Sequence, residues 1–184
     1  TPELRRAGEL TTSVFSEVSA ALAWQKKRHA QGWIAPDWPS EFGGPGWDIQ
    51  QRYIFQEECR QANAPTPVMM GIQMLGPMLM HFGTPSQKER FLPRFATGEL
   101  RGGVGLTEPD AGTDLQGIRA VARKDGDDYV INGTKTWITN GIKGNCLAVL
   151  TKTDPTATPA HKGMSLFLCE KGDGFTVGKK LKKL

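Results

Sequence analysis

The sequence predicts an α+β protein, with an all-helical N-terminal domain over residues 1–98 followed by an antiparallel β-domain over 99–184. Three observations carry that prediction. Up to Gly98, apolar residues recur at helical spacing and segments open on helix-capping residues. From Arg101 the pattern changes period, and short strand-like runs replace the helical ones. The separators between those runs include Asp125-Gly126-Asp127 and Asn132-Gly133, which favour tight turns. A chain of 184 residues that is 38% hydrophobic and 23% charged, with a net charge of +4, has the composition of an ordinary globular protein of one or two domains.

In the helical half, Leu10, Val14, Val18 and Leu22 repeat every four residues, which predicts one helix with a single apolar stripe running to about Ala30 and stopped by Gly32. Lys26, Lys27 and Arg28 suit the negative pole of that helix and read as a solvated last turn. Segment 33–46 is so densely punctuated by Pro and Gly that helix and strand are both excluded, and its aromatics are expected to anchor the loop to a core. Asp48 with Gln51 three residues on forms a capping-box pattern, opening a helix to about Ala62. A further helix covers 68–75, is expected to break at Gly76-Pro77 and resumes briefly to Phe82. Thr84 caps the last helix, Pro85 takes its first position, and it runs to about Ala96.

In the second half, strands are expected at 101–106, 120–124, 129–131, 134–138, 147–152, 165–169 and 175–177. Residues 154–162, with two prolines and small polar side chains, read as an exposed loop.

Several function classes lose support at this level. No stretch is long and apolar enough for a membrane span, and no N-terminal basic-then-apolar segment suggests a secretory signal. Cys59, Cys146 and Cys169 are widely spaced and odd in number, as expected of free thiols in a reducing compartment, the cytoplasm or, in a eukaryote, the mitochondrial matrix. His29, His81 and His161 are scattered, so no metal site is expected. Gly44 and Gly46 lack the third glycine and the βαβ setting of a dinucleotide fingerprint, and Gly133-Thr134-Lys135-Thr136 lacks the glycine-lysine step of a phosphate loop. Lys179, Lys180, Lys182 and Lys183 form a basic tail without interleaved aromatics, which is weak support for nucleic-acid binding.

The residue types suited to chemistry concentrate in two stretches. Residues 104–114 read Val-Gly-Leu-Thr-Glu-Pro-Asp-Ala-Gly-Thr-Asp. Gly112 frees the backbone so that main-chain N–H groups can approach an anionic group, and Thr107 and Thr113 add uncharged donors. Two dozen residues on, Asn132-Gly133 leads into Thr-Lys-Thr-Trp-Ile-Thr. Trp137 and Thr139 are two apart, hence on one face of an extended segment, offering an indole to stack on a planar ring and a hydroxyl to bond its edge. Glu108 and Lys135 read as structural residues holding the turn and hairpin.

Thr-Glu-Pro-x-Ala-Gly-[Ser/Thr]-Asp followed by Asn-Gly-x-Lys-x-Trp-Ile-Thr resembles the acyl-CoA dehydrogenase family, and the Pro-x-x-Phe-Gly-Gly-x-Gly connector at 39–46 is a third similarity. The resemblance implies a barrel-like β-domain that binds FAD. It places Val104, Leu106 and Thr107 along the isoalloxazine, with Thr107 on its pyrimidine edge. Gly112 and Thr113 would meet the pyrophosphate, and Thr113 would also lie near the thioester substrate. Trp137 would flank the ring, with Ile138 beside it and Thr139 donating toward N5. The family more often has serine where this chain has Thr113, which keeps the donor and adds a methyl group. The implied activity is α,β-dehydrogenation of an acyl-CoA, with an electron-transfer flavoprotein or similar acceptor and a homo-oligomer as partners. In the family the catalytic glutamate belongs to a C-terminal helical bundle; no residue here matches it, so no catalytic residue is assigned and the chain is expected to be the N-terminal and middle part of a longer dehydrogenase. The alternative is a non-catalytic, truncated family member that binds flavin, acyl-CoA or a partner subunit.

Overall fold

The computed structural model describes residues 1–11 and 16–181, which divide into a helical unit, Thr1–Arg101, and a sheet unit, Gly102–Leu184. The fold class read from the sequence is the one observed: helices first, then a sheet.

The helical unit contains α1 (Pro2–Glu9), α2 (Val18–Ala30), α3 (Ile49–Gln61), α4 (Gly76–Phe82) and α5 (Pro85–Thr97). The single stripe expected from Leu10 to Leu22 is replaced by two helices. Leu10 caps α1 and is 61% exposed, α2 begins at Val18, and Val14 lies outside the described residues. A four-residue repeat of apolar side chains does not register that the backbone between them leaves the helix. Gly32 does end α2: its φ is +71°, and its N–H and that of Trp33 close back on the carbonyls of His29 and Arg28.

Arg28 corrects the reading of a solvated last turn. Lys26 and Lys27 are exposed, but Arg28 is buried, with its guanidinium donating to the carbonyls of Trp33 (3.1 Å) and Ile34 (3.4 Å) and lying 4.8 Å from the Phe55 ring centre. Burial lowers its pKa from the ordinary value. Arg28 thereby fixes the start of the 33–46 loop, and Trp33, Trp47 and Phe55 cluster with ring centres 5.0–5.9 Å apart.

Trp38 anchors the same loop and explains a second departure from expectation. Gly76-Pro77 does not break the helix: Gly71–Leu75 forms a π-helical turn that runs directly into α4. Pro77 has no N–H to give to the preceding turn, and the Trp38 indole N–H supplies a donor to the Ile72 carbonyl at 2.8 Å. Gly76 leaves room for that indole, because a Cβ there would overlap Trp38 Cζ2. Both expected capping boxes are present, Asp48 with Gln51 on α3 and Thr84 with Gln87 on α5. The core gathers Ile34, Ala35, Trp38, Ile72, Leu75, Leu79, Phe91, Leu92 and Phe95, where each large apolar side chain contributes about 1.5–3 kcal/mol.

The sheet unit holds β1 (Gly102–Gly105), β2 (Val121–Asp125), β3 (Asp128–Asn132), β4 (Cys146–Lys152) and β5 (Met164–Glu170). Their order is β1-β4-β2-β3, with β5 on the other side of β4. The sheet is mixed where the sequence reading has it antiparallel. β2–β3 and β4–β5 are antiparallel, but β4 runs parallel to β1 from Gly102↔Cys146 to Gly105↔Val149 and parallel to β2 at Val121↔Lys152. The long β1–β4 connection makes the parallel pairing possible, and β4 shows the near-continuous burial of a central strand. Tyr129 on β3 meets Phe167 on β5 at 4.9 Å although those strands are not sheet neighbours, so the sheet curls. The expected strands at 134–138 and 175–177 do not form.

Candidate functional site

The segment that fails to become a strand carries the second motif. It leaves β3 at Gly133, where a Cβ would collide with Ala120 Cβ, and then runs antiparallel along β1 and the residues after it. Thr136 N–H donates to the Thr107 carbonyl at 3.0 Å. Farther along, the Thr139 carbonyl lies so close to Gly103 that a Cβ there would sit 2.7 Å from it, and Asn140 Nδ2 donates to the Gly102 carbonyl at 2.8 Å. Residues 102–107 and 136–140 are therefore one composite surface.

A buried ion pair holds the two pieces together. Lys135 Nζ lies 2.7 Å from Glu108 Oε1 and 2.9 Å from the Leu106 carbonyl. Glu108 also accepts the Arg119 N–H at 2.6 Å and the Ala120 N–H at 3.0 Å. Burial pushes the Glu108 carboxyl up, but the Lys135 ammonium and those two N–H groups outweigh it, leaving the pKa below the ordinary carboxylate value. The turn between them closes through Glu108 N–H to Ala111 O at 2.8 Å.

Val104 lies in β1 and is half-buried, as are Leu106 and Thr107 just beyond it. Ile138 is half-buried, and Thr139 is exposed. Trp137 is 68% exposed, and its φ of +58° is a left-handed conformation costly for an aromatic residue. Val104, Leu106 and Thr107 are thus brought alongside the segment of Trp137, Ile138 and Thr139. Gly112 and Thr113 follow the Glu108–Ala111 turn and are exposed, and no hydrogen bond ties them to segment 135–140. Among the described residues, the hydroxyls of Thr107, Thr113 and Thr139 make no hydrogen bond to protein.

Two hollows of about 280 and 360 Å³ lie elsewhere, lined by Asp37, Trp38, Ile72, Gln73 and Pro77 in one and by residues of β2, β3 and 152–155 in the other. The motif residues line neither. Sequence reading missed Asn140, whose φ of +63° and amide bond to Gly102 turn the chain after Thr139. The Asn-Gly pair at 140–141 is the signal that would have found it.

Comparison with known proteins gives this surface a context. Residues 8–99 match the model of the acyl-CoA dehydrogenase N-terminal domain, and residues 103–184 match that of the acyl-CoA dehydrogenase middle domain. Acyl-CoA dehydrogenase FadE26 of Mycobacterium tuberculosis is 37% identical over 91% of the chain and 42% of its own length. The long-chain specific mitochondrial acyl-CoA dehydrogenase of Rattus norvegicus is 38% identical over 91% of the chain and 39% of its own length. Among solved structures, the Tcur3481-Tcur3483 steroid ACAD superposes with a TM-score of 0.76 at 34% identity, covering 91% of this chain and 42% of that one. The chain spans about two fifths of the length of the curated relatives it matches. With both domain models matched in order along nearly all of its residues, the chain belongs to the acyl-CoA dehydrogenase family.

Proposed function

We propose that the composite surface of residues 104–107 and 137–139 is the flavin-facing part of an FAD-dependent acyl-CoA dehydrogenase. The observation that carries this reading is the pairing of the two motif pieces, with unpaired hydroxyls at Thr107 and Thr139 and an exposed indole at Trp137. A planar redox ring needs an apolar face and donors at its edge, and these residue types fit both needs. Val104, Leu106 and Ile138 supply apolar contact, Thr107 and Thr139 donate to the ring edge, and Trp137 flanks it. Gly112 and Thr113, free of other hydrogen bonds, take the pyrophosphate, and Thr113 also reaches the thioester.

FAD, when bound, supplies the hydride acceptor for α,β-dehydrogenation of an acyl-CoA thioester. What this chain's residues contribute is alignment: they hold the acceptor rigidly, so the substrate's Cα–Cβ bond meets it in one orientation. The donors at Thr107 and Thr139 favour the more electron-rich reduced state. None of the residues described here is assigned as the base that removes the α-proton. Electrons pass on to an electron-transfer flavoprotein or a similar acceptor, and the working unit is a homo-oligomer.

The test is the visible spectrum of the purified protein, read with its intact mass, before and after anaerobic addition of saturated acyl-CoA thioesters. Bound flavin is expected, and its absorbance should bleach where the intact mass exceeds that of these 184 residues and so allows for a base outside them. A protein that stays colourless when reconstituted with FAD contradicts the reading, and bound flavin that no acyl-CoA reduces in a preparation of that greater mass favours the non-catalytic member instead.

A further inference from the structure

We infer that Lys171 is a positioning residue for the turn that presents Thr139, an inference resting on the flavin-edge reading of that hydroxyl. Ile138 O accepts the Gly141 N–H at 2.9 Å, which makes 138–141 a tight turn with Thr139 and Asn140 at its centre. Asn140 at φ +63° occupies the position of a type II turn that demands a left-handed residue. The chain is then carried to β4 by Gly144 N–H to Asn140 O at 2.7 Å. One side of the turn is tied to β1 through Asn140 and the Gly102 carbonyl.

The other side is tied by Lys171. Its backbone N–H donates to Asn145 O at 2.8 Å, just past the end of β5, so the residue is fixed relative to β4. From there the ammonium donates to Gly141 O at 2.8 Å and to Ile142 O at 3.1 Å. It also lies 5.1 Å from the centre of the Phe175 ring, which a turn from Gly172 O to Phe175 N–H holds in place. One cation thus satisfies two consecutive carbonyls of a segment that has no ladder of its own. Three donors on a flexible stem suit that task, and a neutral side chain of the same length cannot perform it.

The functional consequence follows from the geometry of hydrogen bonding. A donor aimed at the edge of a ring must be held within a few tenths of an ångström, because the bond weakens steeply with misalignment. Asn140 fixes the turn against β1, and Lys171 fixes it against the end of β5. With one tie gone, Thr139 samples orientations that do not reach the ring. Lys171 touches neither motif in sequence, so motif reading does not find it.

The experiment compares wild type, Lys171→Met and Lys171→Arg by amide hydrogen exchange without cofactor and by FAD titration. Lys171→Met is expected to speed exchange at Gly141 and Gly144 by about tenfold or more, the loss of charge-assisted hydrogen bonds, with the β2–β3 hairpin unchanged. FAD affinity falls by about tenfold in the same variant, and Arg restores both readouts. Unchanged exchange at Gly141 and Gly144, or equal acceleration in the hairpin, overturns the positioning role. Faster exchange at those amides with FAD affinity unaffected overturns the link to Thr139. Failure of wild type to bind FAD strikes the flavin reading itself, while exchange still reports on Lys171.

Discussion

The Lys135 ammonium and the Glu108 carboxylate meet at 2.7 Å with side-chain exposures of only 11% and 6%, and this pair ties the first motif to the second. Removing one partner of such a pair strands the other in a low-dielectric site. Glu108→Gln also offers an amide N–H2 where the Arg119 and Ala120 N–H groups need acceptors. We predict a loss of about 3–5 kcal/mol by denaturant unfolding of the sheet unit. Glu108→Gln combined with Lys135→Met should lose less than the sum of the single changes, and strict additivity would show that the two groups are not coupled.

The same pair sets a pH dependence. The Glu108 carboxyl has a folded-state pKa below its unfolded one, so its contribution is complete above the ordinary carboxylate range and disappears as pH falls through the folded value. The stability difference between wild type and Glu108→Gln should therefore be widest near neutral pH and shrink on acidification. A difference constant from neutral to strongly acidic pH would contradict the ionised pair.

In the helical unit the test lies in Trp38 and Pro77. Trp38→Phe removes the donor to the Ile72 carbonyl and should cost about 1–3 kcal/mol. Pro77→Ala restores a backbone N–H to the same turn, so in the Trp38→Phe background it should recover part of the loss, measured as a coupling in a double-mutant cycle. No coupling would show that the indole does not compensate for the proline.

These relationships also mark what the sequence discloses. The starts of α3 and α5 are legible because a capping box is local: Asp48 and Gln51, or Thr84 and Gln87, need only each other. The continuity of the helix through Gly76-Pro77 is not legible locally, because its remedy, Trp38, lies far away in the chain. The expected strand at 134–138 does not form, its backbone is left-handed at Trp137, and nothing in Thr-Lys-Thr-Trp-Ile-Thr announces that conformation. The two motifs are legible as separate pieces, and the residue types of Glu108 and Lys135 suit a structural role. Their mutual contact, the parallel pairing of β1 with β4 and the part of Lys171 all depend on tertiary placement.

Gly71 and Gly112 separate packing from binding. A Cβ at Gly71 would lie 2.5 Å from Phe95 Cδ1, so Gly71→Ala should destabilise the helical unit by about 1–3 kcal/mol. A Cβ at Gly112 meets nothing within 4 Å, so Gly112→Ala should leave unfolding within about 0.5 kcal/mol of wild type. In the flavin reading that methyl group intrudes on the pyrophosphate, and FAD affinity should fall although stability does not. Equal FAD affinity in Gly112→Ala would remove Gly112 from the site.

Whether the two paired motif pieces cradle a flavin is decided by titrating FAD into wild type and Trp137→Gly while following the visible spectrum. Glycine at φ +58° relieves backbone strain, so thermal stability without cofactor should stay level or rise by about 1 kcal/mol. FAD affinity should drop, and the spectrum of whatever flavin remains bound should move toward that of free flavin. Unchanged affinity and an unchanged spectrum after removal of the indole would show that these two pieces do not hold a flavin.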